Sequence, residues 1–377
     1  MSTLVLAGGG TGGHVFPMVA VADALRTLAP ELGLLFVGTR RGIETRVVPE
    51  RNYELELLEV SPLRGGGPLG AARGAWHASL AVRHALELLK QRRARAVFSV
   101  GGYAAGPVAL AARLLGVPLA LLEPNAVIGL ANRLVAPFVQ RAYTSFAATE
   151  RHFRPAVIRR FGAPLRLGFA ARPYAPAGSE PRLLVLGGSQ GAKALNERVP
   201  EALARLTAPV KVVHQCGPAH EGAVRALYTS LGLADRVEVV PFIHAMAEAL
   251  GSADLVISRS GAGALSEICA VGRPSVLVPY PFAASDHQRK NAEALEAEGA
   301  AICVPSEQAT PEHLARILDD LLNDWHKLAA MAAQASALGK PEAATHIALD
   351  LLQLGGIAAQ PPASGDARSH AATSEVR

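Results

Sequence analysis

The 377-residue chain has only three cysteines, Cys216, Cys269 and Cys303, and they stand far apart with no Cys-x-x-Cys pair. An odd, scattered set excludes a disulfide framework and a zinc ribbon, and it fits a reducing, cytosolic compartment. Aromatic residues are scarce at 5%, which argues against an aromatic-rich β-sandwich. Charged residues are also few, at 18% against 50% hydrophobic, and that balance excludes wholesale disorder. Long apolar runs are missing as well. The uncharged stretch 96–112 is interrupted by Gly101, Gly102, Gly106 and Pro107 and is shorter than the ~20 residues a bilayer span needs. No basic n-region opens the chain, and Leu4–Ala7 is too short for the apolar part of a signal peptide. A soluble protein is expected, bound at most to a membrane surface.

What the chain does have is glycine (36) and proline (26). At ~150 residues per domain its length suggests two domains. The formal net charge of +5 does not by itself suggest nucleic acid. Its distribution says more. Residues 1–166 hold 20 Lys and Arg against 10 Asp and Glu, whereas residues 167–377 hold 17 against 22. Such asymmetry points to an anionic surface or ligand at the first half.

The apolar run Leu4–Ala7 leads into Gly8-Gly9-Gly10-Thr11-Gly12-Gly13-His14, and then Val15, Val19, Ala22 and Leu25 follow at helical spacing. This reads as strand, glycine loop, helix. Further strands are expected at 34–37, 97–100 and 119–122, alternating with helical segments as in a parallel α/β sheet. The stretch 163–181 is rich in Pro, Gly and Ala and reads as an interdomain connection. The opening theme then returns: Leu183–Leu186 is a strand, Gly187-Gly188-Ser189-Gln190-Gly191-Ala192 a loop, and Leu195 and Val199 mark a helix. Gly9 and Gly188 lie 179 residues apart, about one domain. More strands are expected at 211–214, 237–240, 255–258 and 275–278, a helix at 342–354, and a disordered tail from 358.

Gly8-x-Gly10-x-x-Gly13 matches the dinucleotide fingerprint, but the second strand ends in Gly38-Thr39 where that fingerprint needs an acid for the ribose. That disfavours a dehydrogenase. A Walker A loop needs Lys-Ser/Thr where His14-Val15 stands. What remains is a glycine turn and a helix N-terminus, which favour a phosphate or a sugar. His14, in the first turn beside Thr11, can act as a base or hydrogen-bond a substrate. A second strand–loop–helix junction runs from Ser258 through Gly261, Ala262, Gly263 and Ala264 to Glu267. Its amides suit a diphosphate, and Glu267 one turn later can accept both hydroxyls of a ribose. Asp286, Gln288 and Asn291 gather at another helix start, more polar groups than an N-cap alone explains.

Six segments occur in order: Gly-Gly-Gly-Thr-Gly-Gly-His, Gly-Gly-Tyr, Glu-x-Asn-Ala-x-x-Gly-x-x-Asn-Arg, Gly-Gly-Ser-Gln-Gly-Ala, Arg-Ser-Gly-Ala and Asp-His-Gln-x-x-Asn. Together they resemble the MurG family of bacterial glycosyltransferases over roughly residues 3–355. The resemblance implies an α/β GT-B fold, two Rossmann-like domains whose parallel sheets face each other across a cleft. It implies an N-terminal acceptor and membrane-docking domain (1–164 and 342–357), a C-terminal UDP-GlcNAc domain (165–341) and a tail (358–377). The activity implied is inverting transfer of N-acetylglucosamine from UDP-GlcNAc to the C4 hydroxyl of lipid-linked N-acetylmuramyl-pentapeptide, the step from lipid I to lipid II of peptidoglycan. No cofactor or metal ion is expected, and the chain has no Asp-x-Asp motif.

By matched motif, Ser189 and its loop would contact the diphosphate region, and Ile243 would meet uracil through its backbone. Ala262, Gly263, Ala264, Leu265 and Ser266 would cradle the phosphates, Glu267 would hold the ribose, and Gln288 would touch the sugar. Thr11, Gly12, Gly13 and Asn125 would reach the sugar from the first domain, and Arg166 would reach the donor from the hinge. Where the family commonly has His-Glu-Gln-Asn, this chain has Leu122-Glu123-Pro124-Asn125, which leaves His14 and Glu123 as acid–base candidates.

The partners implied are the two substrates, an anionic membrane surface at the cytoplasmic face of the plasma membrane and other cell-wall synthesis proteins, with no nucleic acid. Docking is expected over 62–95, where Leu63, Leu69, Trp76 and Leu80 lie among Arg64, Arg73 and Arg83, followed by Lys90, Arg92, Arg93 and Arg95. The alternatives are another GT-B enzyme, such as a UDP-GlcNAc 2-epimerase or a different lipid glycosyltransferase, and a non-catalytic nucleotide-sugar-binding subunit.

Overall fold

Each half of the chain builds one parallel sheet. The computed structural model describes residues 2–60, 67–175, 180–207 and 209–360, with the backbone alone for 67–78. The first sheet holds β1 (Thr3–Gly8), β2 (Gly33–Thr39), β3 (Glu54–Leu58), β4 (Ala94–Gly101), β5 (Leu119–Glu123), β6 (Arg141–Thr144) and β7 (Ile158–Arg159), in the order 3-2-1-4-5-6-7. The second holds β8 (Arg182–Leu186), β9 (Lys211–Gln215), β10 (Val237–Val240), β11 (Leu255–Ser258), β12 (Ser275–Leu277) and β13 (Ala301–Cys303), in the order 10-9-8-11-12-13. Helices cover both faces of such sheets, so central strands read as unbroken apolar runs. All six residues of β1 are buried, and so are Leu183–Leu186 of β8.

Four strands escape the sequence expectation: β3, β6, β7 and β13. β3 alternates Glu and Leu at a sheet edge and pairs only with β2, while β7 has two residues and β13 three. None of them carries a long apolar run.

The strand order reverses between β1 and β4 and again between β8 and β11. Ligands of open α/β sheets bind in the crevice beyond the carboxyl ends at such switch points. The helices that follow the strands of the first half include α1 (Gly12–Leu28), α2 (Glu44–Glu50), α3 (Gly67–Gln91), α4 (Ala105–Leu115) and α5 (Leu130–Val135).

The last helix, Ala343–Leu354, returns to the first sheet. Its Ile347, Ala348, Leu351 and Leu352 are buried with Leu4, Leu6, Val15 and Val19. Polar pins fix its angle: Asp350 accepts from Arg141 Nε (2.9 Å) and the Tyr143 hydroxyl (2.8 Å), and Arg95 Nε donates to the Gly355 carbonyl (3.0 Å). Gln360 N donates to the Leu28 carbonyl (2.8 Å). The remainder of the expected tail, 361–377, lies outside the described residues.

Beneath the second glycine loop, β9 carries a buried polar network. Asn196 donates through Nδ2 to the Cys216 carbonyl (2.9 Å), so its Oδ1 must accept from His214 Nε2 (3.1 Å). His214 Nδ1 then accepts the Tyr228 hydroxyl (2.9 Å), and the imidazole is neutral. Burial pulls its pKa down to about 4. As pH falls below ~6.5 the unfolded chain takes up this proton before the folded one does. Stability is therefore whole above that pH and drops by about 3 kcal/mol as pH falls to about 4. Urea unfolding across this range should show a steeper loss in the wild type than in His214→Gln.

Candidate active site

The loops at the carboxyl ends of the two sheets meet. On the first side, β1 ends in a turn where Gly9 and Gly10 have φ of 151° and 92°, values that favour glycine. α1 starts at Gly12 with Thr11 as N-cap, so Thr11, Gly12 and Gly13 supply the N–H groups that a helix start leaves without intrahelical partners. His14 Nδ1 lies 3.0 Å from the Gly9 carbonyl oxygen. A carbonyl can only accept, so Nδ1 carries the proton and Nε2 keeps a lone pair.

Under this turn lies a residue that the sequence reading missed. Glu44 of α2 is 1% exposed. Its carboxylate accepts from Gly10 N (2.8 Å), Thr39 N (2.9 Å) and the Thr39 hydroxyl (3.0 Å). The acid absent from the end of β2 is thus supplied five residues later, and it faces the protein's own loop. One loop amide expected to be open to a ligand, that of Gly10, is thereby occupied.

Glu123, at the end of β5, is enclosed by donors of its own loop. It is 1% exposed and accepts from Asn125 N (3.1 Å), Asn125 Nδ2 (3.2 Å), Gly129 N (2.9 Å) and Asn132 Nδ2 (3.0 Å). Four donors on a buried carboxylate make Glu123 an organiser of the 123–132 loop in this structure. Of the two acid–base candidates, His14 is the more exposed.

On the second side, β8 is followed by Gly187–Gly191, whose Ser189 is exposed. Gln215 Nε2 anchors the loop through the Gly188 carbonyl (3.0 Å). After β11, Gly261 caps the helix Ala262–Val271 in extended conformation. Leu265 is a core residue, so only its backbone can face a ligand. The Ser266 hydroxyl donates to the Ala262 carbonyl (2.8 Å). Gln288 accepts from Tyr280 N through Oε1 (3.0 Å), leaving its Nε2 as the donor end. Ile243 is half-buried beside Met246 and Leu250.

Among the described residues, polar side chains help join the halves. Asn291, fully buried, accepts from Ala126 N (2.7 Å) and donates to Asn125 Oδ1 and the Ser260 carbonyl, both at 3.1 Å. Asn125, expected at the sugar, therefore has both ends of its amide committed to Glu123 and Asn291. Arg166 pairs with Glu267 (3.3 Å) and lies 5.9 Å from the Phe16 ring of α1. Burial raises the Glu267 pKa, and Arg166 opposes that shift.

Residues 4–144 match the model of the glycosyltransferase family 28 N-terminal domain, and residues 182–347 that of its C-terminal domain. A curated protein of Sorangium cellulosum is 55% identical over 359 residues, 94% of this chain and 89% of its own. It is named UDP-N-acetylglucosamine--N-acetylmuramyl-(pentapeptide) pyrophosphoryl-undecaprenol N-acetylglucosamine transferase. The crystal structure of Acinetobacter baumannii MurG superposes with a TM-score of 0.80 at 32% identity, covering 94% of this chain and 100% of that one. A UDP-GlcNAc 2-epimerase of Neisseria meningitidis bound to UDP-GlcNAc superposes at 0.65 with 14% identity over 94% of this chain and 100% of that one, a likeness of fold alone.

Proposed function

The chain belongs to glycosyltransferase family 28, and on that premise we propose that it transfers N-acetylglucosamine from UDP-GlcNAc to the C4 hydroxyl of a lipid-linked N-acetylmuramyl-pentapeptide. The substrates are inferred from the 55% identity to the Sorangium transferase. The observation that carries the chemistry is the tautomer of His14, whose Nδ1–H is held by the Gly9 carbonyl.

The acceptor O4 attacks the anomeric carbon and the bond to the diphosphate oxygen breaks on the opposite face, so configuration inverts. The hydroxyl proton passes to His14 Nε2. Negative charge grows on the leaving UDP, where the amides at the start of Ala262–Val271 and the loop around Ser189 stabilise it. Glu267 takes the ribose hydroxyls, Ile243 meets uracil through its backbone, and Gln288 Nε2 reaches the sugar. Thr11, Gly12 and Gly13 approach from the acceptor side. Arg166, from the hinge, holds Glu267 and lies close enough to share the donor. Glu123, Asn125 and Asn291 set the distance between the halves. The test is UDP release with and without acceptor: release or epimerisation that needs no acceptor would contradict the reading.

We infer that the enzyme works peripherally at the cytoplasmic face of the membrane, where a lipid-linked acceptor would be met. No helix among the described residues is long and apolar enough to cross a bilayer. Of the expected docking residues, Leu63 and Arg64 and the side chains of Leu69, Arg73 and Trp76 lie outside the described residues. Arg92 pairs with Glu54 and Arg95 with the Gly355 carbonyl, so both serve the fold. Leu80 and Arg83 are exposed, and the described surface adds an apolar patch: Leu110 and Leu114 of α4, Leu130 and Leu134 of α5, and Phe138 are 45–68% exposed. Arg113 and Arg133 lie among them, and α4 also packs on α3. Apolar anchors with basic neighbours suit an anionic lipid surface. Leu114→Glu with Leu134→Glu should weaken binding to anionic vesicles by about tenfold or more, with UDP affinity unchanged.

A further inference from the structure

The amide of Gly10 and the carbonyl of Gly9 belong to one peptide unit. Its N–H donates to Glu44 Oε2 (2.8 Å), and its C=O accepts from His14 Nδ1 (3.0 Å). Carboxylate, peptide and imidazole therefore stand in line. All three groups on Glu44 are donors, and no ion pair to it is found among the described residues. Its negative charge is met only by N–H and O–H dipoles. The room for it is made by glycines, since a Cβ at Gly9, Gly38 or Gly42 would overlap the carboxylate. Gly102 hems the other side, where a Cβ would come within 2.8 Å of the Gly9 oxygen. The peptide unit is thus gripped from both faces.

We propose that Glu44 is a positioning residue for the transfer reaction, acting on His14 through the Gly9–Gly10 peptide as the remote anion of a peptide-bridged Glu–His pair. The proposal rests on the reading of His14 as the base. In a direct carboxylate–imidazole pair the anion fixes the tautomer and stabilises the imidazolium. Here the peptide carries both effects. The Glu44 charge polarises the amide, its carbonyl becomes a stronger acceptor, and Nδ1–H is held more tightly once Nε2 has taken the proton. The acid that a dinucleotide-binding fold would spend on a ribose is turned inward, onto the base.

The experiment is an NMR titration of the full chain labelled at histidine and glycine, beside pH profiles of transfer. Glu44→Gln keeps an acceptor oxygen but removes the charge. The His14 pKa should fall by about one unit, and the acid limb of kcat/KM should move with it. Plateau kcat should fall about threefold to tenfold, while KM for UDP-GlcNAc stays within about twofold. A Glu44→Gln protein with that KM retained and His14 titrating as in the wild type would overturn the proposal. A purely structural role would not move the His14 titration. In the wild type, the Gly10 amide resonance should shift at the pKa of His14, and a Gly10 signal indifferent to that titration would also overturn it, whether or not the variant folds. If His14→Ala keeps its turnover, the base reading fails, but the NMR titration still decides the Glu44–His14 link.

Discussion

His14→Ala should lower kcat by about 10²–10⁴-fold and leave UDP affinity within about threefold. The size follows from what the side chain does. A C4 hydroxyl is a poor nucleophile until its proton has somewhere to go, and Nε2 of His14 is the lone pair that the loop fixes in place. The selectivity follows from position. His14 stands on the first domain, whereas Glu267, Gln288 and the Ser189 loop stand on the second. The variant loses one hydrogen bond, to Gly9, and α1 keeps its buried face of Val15, Met18 and Val19, so the fold should survive. Single-turnover transfer alongside calorimetric UDP titration separates the two quantities. Near-normal turnover with intact UDP binding would remove His14 from the mechanism.

Glu267→Ala should act on the other side of the reaction, raising KM for UDP-GlcNAc by about 10²–10⁴-fold with a smaller effect on kcat. Two hydrogen bonds from a ribose diol to a half-buried carboxylate are worth about 1.5–3 kcal/mol each, and the cost of leaving Arg166 unpaired adds to their loss. Glu267→Gln keeps one acceptor and should cost about tenfold. Because burial raises the pKa of this carboxylate, UDP affinity should begin to fall at a higher pH than an exposed glutamate would dictate. Calorimetric UDP titrations at several pH values would show it. A Glu267→Ala enzyme with unchanged KM would place the ribose elsewhere.

The difference between these residues and Glu44 shows what a sequence discloses. Glycine loops at 8–13, 187–191 and 261–264 are local devices: strand, turn and helix start follow one another within a dozen residues, and their chemistry is written in that order. The central strands were legible for the same reason, since burial on both faces demands unbroken apolar runs. β3, an edge strand of alternating Glu and Leu, gave no such signal. Residues whose meaning depends on tertiary closure were also hidden. Glu44 reaches Gly10 across 34 positions and Asn291 reaches Ala126 across 165, and no periodicity records either contact. Glu123 was singled out by its matched motif, and only the folded structure shows the four donors around it. The charge asymmetry pointed to an anionic surface or ligand at the first half, yet two of its arginines, Arg92 and Arg95, hold Glu54 and the last helix. The apolar patch of α4 and α5 was not read from the sequence: Leu110/Leu114 and Leu130/Leu134 stand at helical spacing, such pairs normally face a core, and only packing shows which ones do not.

The most direct test of the central claim is the product. Purified enzyme given UDP-GlcNAc and a short-chain analogue of the lipid-linked muramyl-pentapeptide should yield one new disaccharide, β-linked at O4 of the muramyl residue, with one UDP released per transfer. Nuclear magnetic resonance of that product reads the linkage and the anomeric configuration together. A retained α-anomer, transfer to another hydroxyl, or no transfer by an enzyme that still binds UDP would contradict the account.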